Sequence, residues 1–224
     1  MTATRAKQRP ASRLLAALVA INCFWASSAV PAAARGHAPS VSPAVAQART
    51  PPEIEVEAAY LVNFLRYTEW PAGSFESADA PLVIAVVGDA EVADGVRAVA
   101  AAAARIGGRA IEVRWVPGAR GSLAAPFDSA QDRANLLQMR GSHMVFFHAS
   151  AGNIPARVLT DLWRQPVLTV SDVPEFTHAG GMLGLVRTPG RLTFDANPVA
   201  IRNSSLLLSA KVLKLARRTK GAAP

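Results

Sequence analysis

Asp89, His148 and Asp172 carry the side chains used in acid–base chemistry, and each follows a short apolar segment. If these segments are parallel strands of one sheet, their carboxyl ends meet at the edge where open α/β sheets bind ligands. We therefore expect the three side chains to line a crevice there. A catalytic site also needs a nucleophile or cofactor motif, and the sequence contains no phosphate-binding loop, nucleophile elbow or zinc-binding helix. The motifs favour a protein that is not an enzyme.

The stretch from Asp172 to Gly181 has two interpretations. Asp172 followed by Glu175 three residues later has the spacing of a capping box at a helix start. The same position past a strand also makes Asp172, with His178, a candidate for contact with a ligand or partner. The two roles are compatible. Gly180 and Gly181 are expected to let the chain turn tightly, because glycine tolerates positive φ.

The histidines do not suggest a metal site. His143 and His148 are five residues apart on one predicted strand, so their side chains point to opposite faces. We expect neither a metal nor a cofactor.

An aromatic and charged segment ends the first predicted helix. It consists of Arg66, Tyr67, Glu69 and Trp70, followed by Pro71. Trp, Tyr and Arg dominate binding hot spots, so the segment is a candidate partner surface. The alternative is that Trp70 simply closes the core.

Apolar periodicity predicts the elements that position these residues. Helices are expected at 53–70, 91–106, near 128–140, from the cap Asn153 to about Trp163, and from the cap Asn197 onward. Strands are expected at 80–89, 109–116, 143–149, 166–172, 181–188 and 191–197. This order predicts an α/β fold, a three-layer sandwich around a mixed, mostly parallel sheet of about six strands. A C-terminal hairpin and a long last helix complete the prediction.

The first 34 residues have the organisation of a cleavable signal peptide: basic residues, a short apolar run and a small-residue site ending at Ala34, with Ala48 as the alternative. A flexible leader (35–52), a single domain (53–218) and a disordered tail (219–224) are expected to follow. The protein is thus predicted to be exported. The single cysteine, Cys23, precedes the cleavage site, so the mature domain is stabilised by packing rather than disulfides.

The excess of positive charge lies at the two ends of the chain. The formal net charge is +8, but residues 35–201 carry 14 basic and 16 acidic side chains, and every charged residue from Arg202 onward is basic. Basic residues are not interleaved with aromatic ones, which argues against nucleic acid as a partner. The basic end has two interpretations: contact with anionic lipid or an acidic partner, or a solvated helix face. We expect any membrane contact to be indirect.

Several stretches resemble the YfiR family of periplasmic proteins. In family order they are AAYLVNFLRYTEWP (58–71), LVIAVVGD (82–89), SHMVFF (142–147), PVLTVSDVPEFTHAGGMLGLV (166–186) and RLTFDANPVAIRNSSLLLSAKVLKLAR (191–217). The resemblance implies a periplasmic repressor that binds the sensor domain of an inner-membrane diguanylate cyclase and so limits cyclic di-GMP and biofilm formation. It also implies a homodimer.

One departure from the family affects the expected signal. Members of the studied type carry disulfide-forming cysteines, one of which commonly precedes the central-strand histidine, where this chain has Ser142. Thiol-based redox sensing is therefore excluded for the mature chain. The alternative function is a periplasmic small-molecule-binding protein that uses the crevice past Gly88, His148 and Asp172.

Overall fold

The computed structural model describes residues 51–103, 105–118 and 129–217. Its helices are α1 (Pro51–Arg66), α2 (Ala90–Ala102), α3 (Ala130–Arg140), α4 (Ala156–Leu162), α5 (Pro198–Asn203) and α6 (Ala210–Leu215). Its strands are β1 (Thr68–Glu69), β2 (Leu82–Gly88), β3 (Ile111–Pro117), β4 (Met144–Phe147), β5 (Leu168–Ser171), β6 (Leu183–Thr188), β7 (Arg191–Ala196) and β8 (Leu207–Leu208). The predicted signal peptide with both cleavage positions, the leader up to residue 50 and the tail 219–224 lie outside the described residues.

Six strands form one sheet in the order β3-β2-β4-β5-β6-β7. The first five are parallel to their neighbours, and β7 pairs antiparallel with β6 through the turn at Pro189–Gly190. This confirms the predicted mixed, mostly parallel sheet and the C-terminal hairpin. The chain places β3 on one side of β2 and β4 on the other, so the topological switch point lies between β2 and β4.

The sheet separates two apolar cores. Along β2, Ile84 and Val86 pack on one face, whereas Ala85 and Val87 pack on the other, and all four are fully buried. Side chains from α1, α2, α5 and α6 complete the first core, and side chains from α3 and α4 complete the second. A strand covered on both faces has to be apolar throughout, which explains the unbroken apolar run that predicted β2.

The first helix is shorter than predicted at its carboxyl end. It ends at Arg66 rather than Trp70, and Thr68 Oγ1 donates a 2.7 Å hydrogen bond to the Phe64 carbonyl oxygen at that end. The chain then becomes extended, because β1 pairs antiparallel with β8 in a separate two-stranded sheet. At its other end α1 begins at Pro51, two residues before the predicted boundary.

The prediction of one long last helix is wrong. Asn197 and Pro198 do open a helix, but α5 ends at Asn203 and Ser205 takes a left-handed φ of 60°. Residues 207–208 then pair with β1 before α6 begins. Leu206 and Leu208, which lie within the predicted helix, are buried against the core through extended backbone rather than through a continuous helix.

Among the described residues, no helix has both the length and the apolar character needed to cross a membrane.

Candidate functional site

His148 and Asp172 lie together at the carboxyl ends of β4 and β5. His148 Nε2 is 3.8 Å from Asp172 Oδ2, and the two side chains are only 5% and 6% exposed. On the other side of the imidazole ring, Nδ1 accepts a 3.1 Å hydrogen bond from the Ser150 backbone N–H and lies 2.8 Å from Ser150 Oγ. The structure thus brings together two of the residues that the sequence placed at this edge.

Glu57, on the buried face of α1, completes this group, which we call the buried acid–histidine cluster (Glu57, His148 and Asp172). One ligand-type atom from each residue lies within 4.8 Å of the other two. Arg187 on β6 donates a 2.6 Å hydrogen bond from Nη2 to Glu57 Oε1, and its Nη1 is 3.6 Å from Glu53 Oε1. The cluster together with Arg187 therefore connects α1 to the ends of β4 and β5 and to β6.

The hydrogen bonds of His148 favour a proton on Nε2. A backbone N–H is always a donor, so the bond from Ser150 N requires a lone pair on Nδ1. The ring hydrogen of the neutral form then sits on Nε2, facing Asp172. A metal ion at the cluster would need the lone pair of that same nitrogen and would leave Nδ1–H facing the Ser150 amide. The donor set consequently fits a hydrogen-bonded ion network better than a metal centre.

Ser150, His148 and Asp172 lie next to one another as the members of a Ser–His–Asp triad do, which raises the question of nucleophilic catalysis. Ser150 Oγ accepts a 2.9 Å hydrogen bond from the Asp89 backbone N–H, and His148 is the N-cap of the short 3-10 turn at Ala149–Ala151. These bonds hold the turn against the end of β2. The serine hydroxyl and the imidazole therefore both take part in holding this turn.

The switch-point crevice is filled by the same 3-10 turn. A Cβ added to Gly88 would lie 2.6 Å from Ser150 Oγ, and one added to Gly118 would lie 2.6 Å from Ala151 Cα. Such close approach means that the ends of β2 and β3 contact the turn directly. A small-molecule site in this crevice stays a prediction.

Asp89 and His178 are not members of the cluster. The Asp89 residue is exposed, and only its backbone N–H takes part in the network around Ser150. His178 is 53% exposed, and its Nδ1 is 3.0 Å from Glu175 Oε2. A ligand-binding or partner-binding role for these residues stays a prediction.

The capping-box interpretation of Asp172 and Glu175 is wrong, because residues 172–180 form turns and no helix. Glu175 adopts a left-handed φ of 61°, which a helix start does not allow. Instead, Ser171 Oγ accepts the Val173 N–H at 3.0 Å, and the Asp172 carboxylate faces His148.

Glycine is required at positions 180 and 181 for two different physical reasons. Gly180 has a φ of 102°, which glycine adopts without strain. At Gly181 the requirement is space, since an added Cβ would lie 2.1 Å from the buried ring of Phe176.

Asn197 is the N-cap of α5 and a buried tether between two segments. Its Oδ1 accepts the N–H groups of Val199 and Ala200, both at 3.1 Å. Its Nδ2 donates a 3.0 Å hydrogen bond to the Thr177 carbonyl oxygen.

The aromatic segment after α1 divides into exposed and buried parts. Arg66, Tyr67 and Glu69 are exposed and line a shallow cavity of about 370 Å³ together with residues 207–209. Tyr67 is 43% exposed and Leu207 is 67% exposed. We call this region the Tyr67–Leu207 surface; it consists of Arg66, Tyr67, Glu69, Leu207, Leu208 and Ser209.

Trp70 faces away from that surface. Its Nε1 donates a 3.2 Å hydrogen bond to the His143 carbonyl oxygen, and its ring packs edge-on against the His143 imidazole at 5.9 Å. The alternative in which Trp70 closes the core is the one that the contacts support.

Glu57 was missed by the sequence reasoning, although the sequence held a signal for it. Val56 is 46% exposed, whereas the buried stripe of α1 includes Ala58, Leu61 and Leu65. Glu57 shares that stripe at i and i+4 spacing. An acidic residue on the buried face of a helix requires a charged or hydrogen-bonding partner in the fold.

The fold and the buried cluster together define an α/β domain with a charged network inside it. A crystal structure of a conserved domain protein from Vibrio cholerae has a similar fold, with a TM-score of 0.51 and 11% sequence identity. The match covers 75% of this chain and 60% of that one, so the chain spans less than two thirds of its length. No curated protein sequence matches the chain significantly.

The chain belongs to the YfiR/HmsC-like family. The family model matches residues 54–217, which include α1 from its first turn, the whole six-stranded sheet, and α6.

Proposed function

We propose that this chain is a periplasmic regulator that binds and represses the sensor domain of an inner-membrane diguanylate cyclase. The observation that carries the proposal is the family match across residues 54–217. The YfiR/HmsC-like family suggests periplasmic regulators of diguanylate cyclases rather than enzymes. Repression lowers cyclic di-GMP and restrains biofilm formation, and the regulator acts as a homodimer after export through its signal peptide.

The Tyr67–Leu207 surface is the proposed contact with the cyclase. It combines exposed apolar side chains, Tyr67 and Leu207, with the charges of Arg66 and Glu69. Interfaces that bind proteins have apolar centres with polar rims, and Tyr and Arg are enriched among the residues that contribute most binding energy. The basic side chains of Lys211 and Lys214 follow directly along the chain and favour an acidic partner.

The test is capture of the cyclase from detergent-solubilised membranes by the tagged chain, together with cyclic di-GMP measured in cells. Deletion of the gene should raise cyclic di-GMP, and re-expression of the wild-type chain should lower it. Leu207→Ser should weaken both capture and repression. Its matched control is Leu137→Ser, because Leu137 on α3 is equally exposed at 66% and lies outside the surface.

Two outcomes contradict the proposal. Cyclic di-GMP that is unchanged by deletion, with no cyclase recovered, overturns the function. Equal repression by both leucine variants and the wild type overturns the assigned surface.

A further inference from the structure

His143 occupies a buried position in which its hydrogen bonds favour the neutral imidazole ring. The Val83 backbone N–H donates a 3.0 Å hydrogen bond to Nδ1, and Nε2 lies 3.1 Å from the Ser74 carbonyl oxygen. Because the Val83 N–H is a donor, the ring hydrogen belongs on Nε2, where it is donated to Ser74. Protonation would place a second N–H on Nδ1, directly facing the Val83 N–H.

The same ring holds a surface segment onto the sheet. Phe75 stacks on the imidazole with ring centroids 4.5 Å apart and an interplanar angle of 20°. The guanidinium carbon of Arg109 lies 3.7 Å above the other face of Phe75. On the opposite flank, Trp70 bonds to the His143 carbonyl oxygen and packs against the ring. The segment from Trp70 to Phe75 is thus fastened at both ends through one histidine.

Two positive charges near the ring add to the penalty for a second proton. They are Arg114 on β3 and Arg109 just before that strand. Glu76 and Arg140 also lie nearby, since they line a cavity of about 330 Å³ that includes His143. Burial lowers the pKa of His143 below its ordinary value of 6.5; the hydrogen bond to Ser74 opposes this shift, and the positive charges of Arg109 and Arg114 reinforce it.

The fastened segment is continuous with the proposed partner surface. Trp70 directly follows β1, in which Thr68 pairs with Leu208 and Glu69 pairs with Leu207. The Ser209 N–H also donates a 2.9 Å hydrogen bond to the Tyr67 carbonyl oxygen. Displacement of Trp70 therefore loosens the carboxyl end of β1, and through β1 its pairing with β8.

We propose that His143 is an acid-sensitive latch that holds the Trp70–Phe75 segment on the sheet and thereby sets the conformation of the Tyr67–Leu207 surface. In mildly acidic surroundings the imidazole takes up a proton, and repulsion between the new Nδ1–H and the Val83 N–H displaces the ring. The ring contacts with Ser74, Phe75 and Trp70 are then lost, and the surface loses its support. This regulation rests on the proposed function of the surface as the cyclase contact. Acidification is thus a signal that releases the regulator from its partner without any thiol.

The test is hydrogen exchange of the isolated protein, followed by mass spectrometry between pH 7.5 and 5.0 and corrected for intrinsic exchange rates. In the wild type, the opening equilibrium constant of residues 68–76 and of residues 207–209 should rise by up to tenfold for each pH unit below 6.5. In His143→Asn, whose side-chain oxygen accepts the Val83 N–H and does not titrate, this rise should be absent. His178→Asn is the matched control, since His178 is exposed, and it should behave as the wild type.

Acid-induced opening that persists in His143→Asn overturns the latch. Opening at 70–76 with residues 207–209 unchanged overturns its connection to the surface. Should His143→Asn fail to fold, NMR titration of the wild-type imidazole decides the question: a pKa at or above 6.5 contradicts the proposal, and a lower pKa with a simultaneous shift of the Val83 amide supports it. None of these readouts needs the cyclase, so failure to capture a cyclase at neutral pH would contradict the proposed function and leave the latch intact.

Discussion

Arg187 on β6 bonds to Glu57 on α1 across 130 residues of sequence, with Nη2 2.6 Å from Oε1. The carboxylate side chain is 1% exposed and the guanidinium side chain 40%. A carboxylate buried to this degree needs a positive or hydrogen-bonding neighbour to offset its lost hydration. The pair therefore determines how the first helix docks beside the acid–histidine cluster.

Arg187→Met should destabilise the protein by about 2 kcal/mol. This is less than the cost of disrupting a fully buried pair, because Arg187 is partly exposed. Urea unfolding of Arg187→Met, Glu57→Gln and the double variant forms a double-mutant cycle, in which the double variant should be more stable than the sum of the single losses predicts by about 1 kcal/mol. Arg191→Met on the same hairpin is the control and should change stability by less than about 0.5 kcal/mol. Strict additivity would show that the two side chains do not interact energetically.

Gly181→Ala should destabilise the protein by about 1–3 kcal/mol, because its methyl group would overlap the Phe176 ring. Gly73→Ala is the control, since an added Cβ there meets no atom within 4 Å. Thermal unfolding measures both variants. Adding Phe176→Leu to Gly181→Ala should recover part of the loss; a Gly181→Ala protein as stable as Gly73→Ala would contradict the packing argument.

Asn197→Ala should destabilise the protein by about 2–3 kcal/mol. The loss combines the α5 cap, typically about 1 kcal/mol, with a buried Thr177 carbonyl oxygen that loses its donor. Asn197→Asp separates the two effects, because the carboxylate caps the helix and cannot donate to Thr177. Chemical denaturation should rank Asn197→Asp between the wild type and Asn197→Ala, and exposed Asn203→Ala should be nearly neutral. Equal stability of Asn197→Ala and Asn203→Ala would contradict the capping and tethering roles of Asn197.

The stability of the protein should fall as pH falls below 6.5. Burial lowers the pKa of His143 in the folded protein, whereas the unfolded chain keeps the ordinary value of 6.5. Between these two values the unfolded state binds more protons, so each step toward acid favours unfolding until the folded pKa is passed. The free energy of unfolding measured at intervals from pH 7.5 to 5.0 should decrease less steeply for His143→Asn than for the wild type. Identical slopes for the two proteins would assign the pH dependence to other groups.

Local features of the sequence were sufficient for much of the fold. The continuous apolar run of β2, the Pro189–Gly190 hairpin turn and the Asn197–Pro198 helix start each depend on neighbouring residues and the backbone geometry they allow. Local evidence gave a wrong prediction where the backbone conformation depended on pairing with a distant segment. Leu206 follows Val199 by seven residues and Leu208 follows Ile201 by seven, which is a helical spacing, but pairing of Leu208 with Thr68 made that backbone extended.

By itself, the sequence determined the six-stranded α/β framework and the motifs that the chain shares with its family. The reason is that strand burial and turn conformation depend on short segments of sequence. Only the tertiary structure decided that Glu57 lies beside His148 and Asp172, and that His143 accepts the Val83 N–H and donates to the Ser74 carbonyl oxygen. Those contacts join residues about 60 to 115 positions apart. No local spacing rule reaches so far, since the proximity of such groups is created when helices pack on a sheet whose strand order differs from the chain order.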